Sequence, residues 1–223
     1  MSHLTWADAI PMWEADGEEH RNVVGTAAVT SAPAYDLVVV AASAGGIAAL
    51  SEVMGALPED FPAAVVVVQH LDPRHRSLID DILSRRTKLA VRQVSSGDHV
   101  EPGTVFVAPP DHHVLVSADG SFTLSKAELV HFVRPSADLL FESAAGSYGD
   151  RVIGVVLTGT GSDGSMGVEA VKKAGGTVIV QDQESSQFFG MPEAAIKTGA
   201  ADFVLSLDEI GQALVTLVTE GRR

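Results

Sequence analysis

Leu37-Val38-Val39-Val40-Ala41-Ala42-Ser43-Ala44-Gly45-Gly46 decides the fold of this chain. An apolar run with no polar alternation reads as a strand covered on both faces, the kind found in parallel sheets. Small residues and two glycines then make a tight turn. Beyond it Ile47, Leu50, Val53, Met54 and Leu57 recur on one helical face before Pro58. Strand, sharp turn and helix in that order form the opening of a βα unit.

The same rhythm continues outward. Strand-like runs lie at Ala64–Val68, Val105–Ala108, Val152–Leu157, Thr177–Val180 and Phe203–Leu205, with a weaker one at Leu89–Val94. Helical faces carry Leu78, Ile79, Ile82 and Leu83, and then the stretch Gly164 to Ala174, which stops at Gly175-Gly176. One interruption, His112–Val116 and Ser121–Leu124 joined through Ala118-Asp119-Gly120, has hairpin character. The expected fold is α/β: a doubly wound, mostly parallel sheet flanked by helices, with a β-hairpin insertion.

Composition bounds the function. The 223 residues suit one large domain, and 46 % hydrophobic with 20 % charged residues mark it as globular. A net charge of −14 argues against nucleic acid, whose phosphates demand clustered Lys and Arg. No apolar run reaches the roughly 18 residues of a membrane span, and the start lacks a secretory signal. The absence of cysteine removes thiolate nucleophiles and disulfides and fits a reducing cytoplasm. Residues 1–34, with Asp8, Glu14, Asp16, Glu18 and Glu19 against Arg21, read as an acidic, flexible N-terminal extension. Residues 35–223 form the domain.

In a doubly wound sheet, ligands bind beyond the carboxyl ends of the strands at a topological switch point. Three strands end there in chemistry-bearing residues. The first ends at Ser43, the second in Gln69-His70, and the run Val152–Leu157 in Thr158-Gly159-Thr160-Gly161-Ser162-Asp163-Gly164. Hydroxyl, imidazole and carboxylate are the three parts of a hydrolytic triad. Each also has a plainer reading. Ser43 and Asp163 stand where helix caps occur, and His70 suits a satisfied strand-end histidine. A metal site built from His70, Asp72 and His75 is a further alternative, and Asp182 competes for the third triad position. His112 and His113, in the hairpin, read as surface residues.

Seven motifs in order resemble the catalytic domain of the chemotaxis protein-glutamate methylesterases, the CheB family. They are Ala-Ser-Ala-Gly-Gly at 42–46, Val-Gln-His at 68–70, Val-Ala-Pro-Pro-Asp-His-His at 107–113 and Arg-Pro-Ser-Ala-Asp-Leu-Leu-Phe at 134–141. Leu-Thr-Gly-Thr-Gly-Ser-Asp-Gly at 157–164, Gln-Asp at 181–182 and Phe-Gly-Met-Pro-Glu-Ala-Ala-Ile at 189–196 complete the set. The resemblance implies a cofactor-independent serine hydrolase with Ser43 as nucleophile, His70 as base and Asp163 as orienting acid. Its substrates would be γ-glutamyl methyl esters on the cytoplasmic helices of methyl-accepting chemoreceptors, with receptor glutamines deamidated as a second activity. Backbone amides of Ala44, Gly45 and Thr160 would hold the oxyanion, in a loop-bordered groove where Met191 and Arg134 are candidate substrate contacts. Met191 equally suits a core, and Arg134 equally suits holding the chain at Pro135.

Family members often carry glycine and threonine where Ala41 and Ala44 stand, and methionine where Thr160 stands. An amide donor does not depend on its side chain, so these changes imply modulation. Residues 1–34 are too few for a receiver domain of roughly a hundred residues, which makes the resemblance one to a receiver-less form. Control would then come from elsewhere, with a sensor kinase or a separate regulator as a candidate partner. The rival readings are a non-catalytic binding module of the same fold and a nucleotide-binding domain, the latter lacking both a G-x-G-x-x-G and a Walker lysine.

Overall fold

The computed structural model describes residues 34–70 and 78–221. The expected acidic extension, and Asp72 and His75 of the alternative metal set, lie outside the described residues, apart from Ala34.

Seven parallel strands form the central sheet. They are β1 (Leu37–Ala42), β2 (Ala64–Gln69), β3 (Ala90–Gln93), β4 (Thr104–Val107), β7 (Val152–Val156), β8 (Thr177–Gln181) and β9 (Phe203–Leu205). Their order is β3-β4-β2-β1-β7-β8-β9. β5 (His113–Val116) and β6 (Phe122–Ser125) pair antiparallel as a separate ribbon, so the hairpin stands as expected.

The unbroken apolar runs are explained by cover on both faces. Val38, Val40 and Ala42 point into a layer made with α1 (Gly46–Gly55), α2 (Ile79–Leu83) and α6 (Leu207–Glu220). Leu37, Val39 and Ala41 point the other way, toward α3 (Ala137–Tyr148), α4 (Ser165–Lys173), α5 (Gly190–Lys197) and the hairpin. All six β1 side chains are fully buried. Leu78 departs from its expected place on a buried helical face: it precedes α2 and is exposed. No helix of the described residues is long and apolar enough to cross a membrane.

Chain order reverses between β1 and β7, which pair from Leu37↔Val152 to Ala41↔Val156. β2 flanks β1 on the other side. Ser43, His70 and Asp163 therefore leave the same edge of three adjacent strands.

Candidate active site

Ser43 sits in the turn between β1 and α1. Its amide donates to the Thr158 carbonyl at 3.0 Å, and its own carbonyl accepts from Gly46 N at 2.9 Å. The serine does not cap the helix. That position belongs to Gly45, whose φ of 76° lies in the left-handed region that a glycine enters freely. The tight turn leaves the Ser43 side chain half-exposed on the wall of an open cleft of about 490 Å³. Ala44, Gly45, Gly46, Gln69, His70 and Gln187 share that cleft. Among the described residues the amides of Ala44, Gly45 and Thr160 donate no hydrogen bond, while those of Ser43, Gly46 and Gly159 are engaged.

His70 follows β2 and is held at both ends. Its amide donates to the Ala42 carbonyl at 3.1 Å, and Gln69 Nε2 donates to the carbonyls of Ser43 (2.7 Å) and His70 (3.0 Å). On the ring, Nε2 lies 2.8 Å from Asp163 Oδ2, so Nδ1 is the nitrogen free for a substrate-side proton. The structure records no hydrogen bond from the Ser43 hydroxyl to this ring. The two side chains share one cleft, and such contacts often close only when substrate is bound.

Asp163 does act as a cap, but not of the helix it precedes. The N-cap of α4 is Gly164. The Asp163 carboxylate instead reaches across to the start of α3, where it accepts from Ala137 N (2.6 Å), Asp138 N (3.2 Å) and the Ser136 hydroxyl (2.8 Å). Burial pushes this carboxyl up. The hydrogen bonds from His70, Ala137 and Ser136, with the neighbouring imidazole's charge, outweigh that and hold it below the ordinary aspartate value. It is thus a buried anion kept charged by its donors.

The other expectations divide. Asp182 binds the amide and hydroxyl of Ser185 in a local turn, and the carboxylate that meets His70 is Asp163. Arg134 is not free to meet a substrate: it bonds Asp111 through Nε and Nη2 and the carbonyls of Lys126 and Ala127 through Nη1. Met191 is no groove residue either. The expected loop there is the first turn of α5, and Met191 is fully buried. Its sulfur packs behind Gly159, where an added Cβ would lie 2.3 Å from Sδ and 2.8 Å from Ser43 Cβ, so only glycine lets this loop approach the serine. Thr160 is exposed on that loop, outside the cleft walls. His113, read as a surface residue, is wholly buried. Among the described residues no group of His, Asp and Glu is arranged to hold a metal ion.

Sequence reasoning missed Ser136, Gln187 and Thr158, whose hydroxyl braces Ala44 and Phe188. Ser136 lies inside a quoted motif, but its contact with Asp163 spans 27 residues and has no local signature.

Residues 38–214 match the CheB methylesterase family. The chain belongs to that family. A protein of Leptospira interrogans named as a protein-glutamate methylesterase/protein-glutamine glutaminase is 38 % identical over 183 residues, 82 % of this chain and 95 % of that protein. The protein-glutamate methylesterase/protein-glutamine glutaminase of Pyrococcus horikoshii is 40 % identical, and this chain spans 52 % of its length. The protein-glutamate methylesterase FrzG of Myxococcus xanthus is 40 % identical and is spanned over 56 % of its length. The CheB methylesterase catalytic domain of Thermotoga maritima superposes with a TM-score of 0.80 at 39 % identity, covering 82 % of this chain and 99 % of that one.

Proposed function

We propose that this chain is a serine-dependent protein-glutamate methylesterase. It hydrolyses γ-glutamyl methyl esters on the cytoplasmic helices of methyl-accepting chemoreceptors and deamidates receptor glutamines at the same centre. The observation that carries this reading is the buried Asp163 carboxylate 2.8 Å from His70 at the wall of the cleft that holds Ser43. A binding module would gain nothing from desolvating an anion in order to orient an imidazole toward a cleft.

In the proposed reaction Nδ1 of His70 takes the Ser43 proton as the oxygen attacks the ester carbonyl carbon. The oxyanion is met by the unengaged amides of Ala44 and Gly45, with Thr160 on the loop beside them. Collapse of the tetrahedral adduct releases methanol, which carries off the proton from His70. Water, deprotonated by His70 in turn, then frees the glutamate and restores Ser43. With a glutamine substrate the leaving group is ammonia. Asp163 stabilises the imidazolium in each step and keeps its own charge. Exposed apolar side chains at the same edge, Met166 at 56 % and Phe188 at 40 % exposure, suit a protein substrate. A receptor's cytoplasmic helices as substrate place the enzyme in the cytoplasm.

Ser43→Ala tests the scheme. Methanol release from a methylated receptor fragment falls by about 10⁴–10⁶ in kcat if Ser43 is the nucleophile. Turnover that survives the substitution unchanged refutes it.

A further inference from the structure

The second histidine of Asp111-His112-His113 has no part in the reaction above, yet it is wholly buried. Its ring is occupied at both nitrogens. Nδ1 accepts the Ser136 amide at 3.1 Å, and Nε2 stands 3.0 Å from the Glu128 carbonyl oxygen, to which only an N–H can donate. These partners fix the tautomer with its hydrogen on Nε2. Ser136 is the N-cap residue of α3, in extended conformation at φ −108° and ψ 133°. The residue whose amide is held by His113 sends its hydroxyl to Asp163 Oδ1 at 2.8 Å, and Asp163 Oδ2 meets His70. The bonds run without a gap from the hairpin insertion to the imidazole on the cleft wall.

We propose that His113 is a positioning residue. It sets the Ser136 backbone, Ser136 aims its hydroxyl at Asp163, and Asp163 thereby presents the His70 ring at the angle proton transfer needs. The hairpin is the anchor of this relay: β5 begins at His113, so its packing on α3 determines where the ring stands. The inference rests on the esterase reading for its kinetic consequence and on geometry alone for the His70 orientation. A group bonded directly to a working imidazole, as Asp163 is to His70, is worth about 10–100-fold in metal-bound histidines. His113 stands three hydrogen bonds from His70, and an effect at the low end of that range, about ten-fold in kcat, is expected.

Two substitutions separate the ring's nitrogens. Asparagine places a side-chain oxygen near the Nδ1 position, whereas glutamine places its amide near Nε2 and offers no acceptor to Ser136. In the full chain, the ring proton shared by His70 and Asp163 is followed by proton NMR. In parallel, kcat and KM are measured for methanol release from a methylated receptor fragment. His113→Gln is expected to displace the proton resonance and to lower kcat about ten-fold with KM unchanged. His113→Asn is expected to leave both near wild type. Adding His113→Gln to Ser136→Ala is expected to cost no more than Ser136→Ala alone, because both act on one relay. Equal impairment by asparagine and glutamine, or multiplying effects in the double variant, overturns the proposal. If His113→Gln does not fold, the resonance in His113→Asn decides: unmoved supports the relay, displaced refutes it. Wild-type protein that releases no methanol defeats the esterase reading, while the resonance still judges His113.

Discussion

Asp163 and Asp138 both stand at the α3 N-terminus and answer burial in opposite senses. Asp138 Oδ1 accepts from Gly164 N (2.9 Å) and Gly167 N (2.7 Å), and Oδ2 lies 3.1 Å from His131 Nε2. Burial, with the charge of Asp163, raises the Asp138 carboxyl above its ordinary value despite the Gly167 and Gly164 amides and His131. A raised folded-state value means the native chain binds the proton more tightly than the unfolded chain. Its stability contribution is therefore present at low pH and is lost as pH rises through that value. Asp163, held below its ordinary value, contributes stability that is present above the unfolded carboxylate range and is lost as pH falls through its folded value. Asp138→Asn keeps an oxygen for the two glycine amides and removes the charge. Urea unfolding between pH 4 and 8 is then expected to show the variant gaining on wild type as pH rises. A constant difference across that range contradicts this account. At this scale Ser43, His70 and Asp163 were legible, because strand ends in a doubly wound sheet are the places to look. Arg134 and Met191 were not. Whether an arginine meets substrate or the carbonyls of Lys126 and Ala127 depends on a loop path that no sequence pattern records.

The strands were the most readable elements, since Val-rich runs such as Val65-Val66-Val67-Val68 announce a two-sided sheet. Helices were read less completely. α6 went unread although it carries a start signal: Ser206 and Glu209 bond reciprocally as a capping box ahead of buried Ile210, Leu214 and Val218. Ser206→Ala is expected to cost about 1 kcal/mol and to lower the melting temperature by roughly 2–4 °C. It should leave kcat unchanged, because α6 packs on the sheet face away from Asp163 and α3. Differential scanning calorimetry alongside the turnover assay checks both. α3 was hidden for a different reason. Its first amides are satisfied by Asp163, so the helix start is completed from a distant part of the chain. The start of α5 differs from the loop that the family resemblance implies at Phe189, Gly190 and Met191: the helix begins at Gly190, with Pro192 tolerated in its first turn.

Over the whole molecule, one sheet order carries the chemistry: β2, β1 and β7 lie side by side where the order of strands along the chain switches sides. The hairpin crosses from structure into function at a particular place in the chain. Its exposed tip at Ala118 and Asp119 falls after Ser43, His70 and His113 and before Ser136 and Asp163. Nicking the backbone there yields one fragment with nucleophile and base and another with the orienting acid, joined in the intact protein by the β1–β7 and β5–β6 pairings. Neither fragment alone should release methanol, and mixing them should restore turnover in step with their recombination. A split at this tip would make the enzyme a complementation sensor, in which ester cleavage counts the reunited halves.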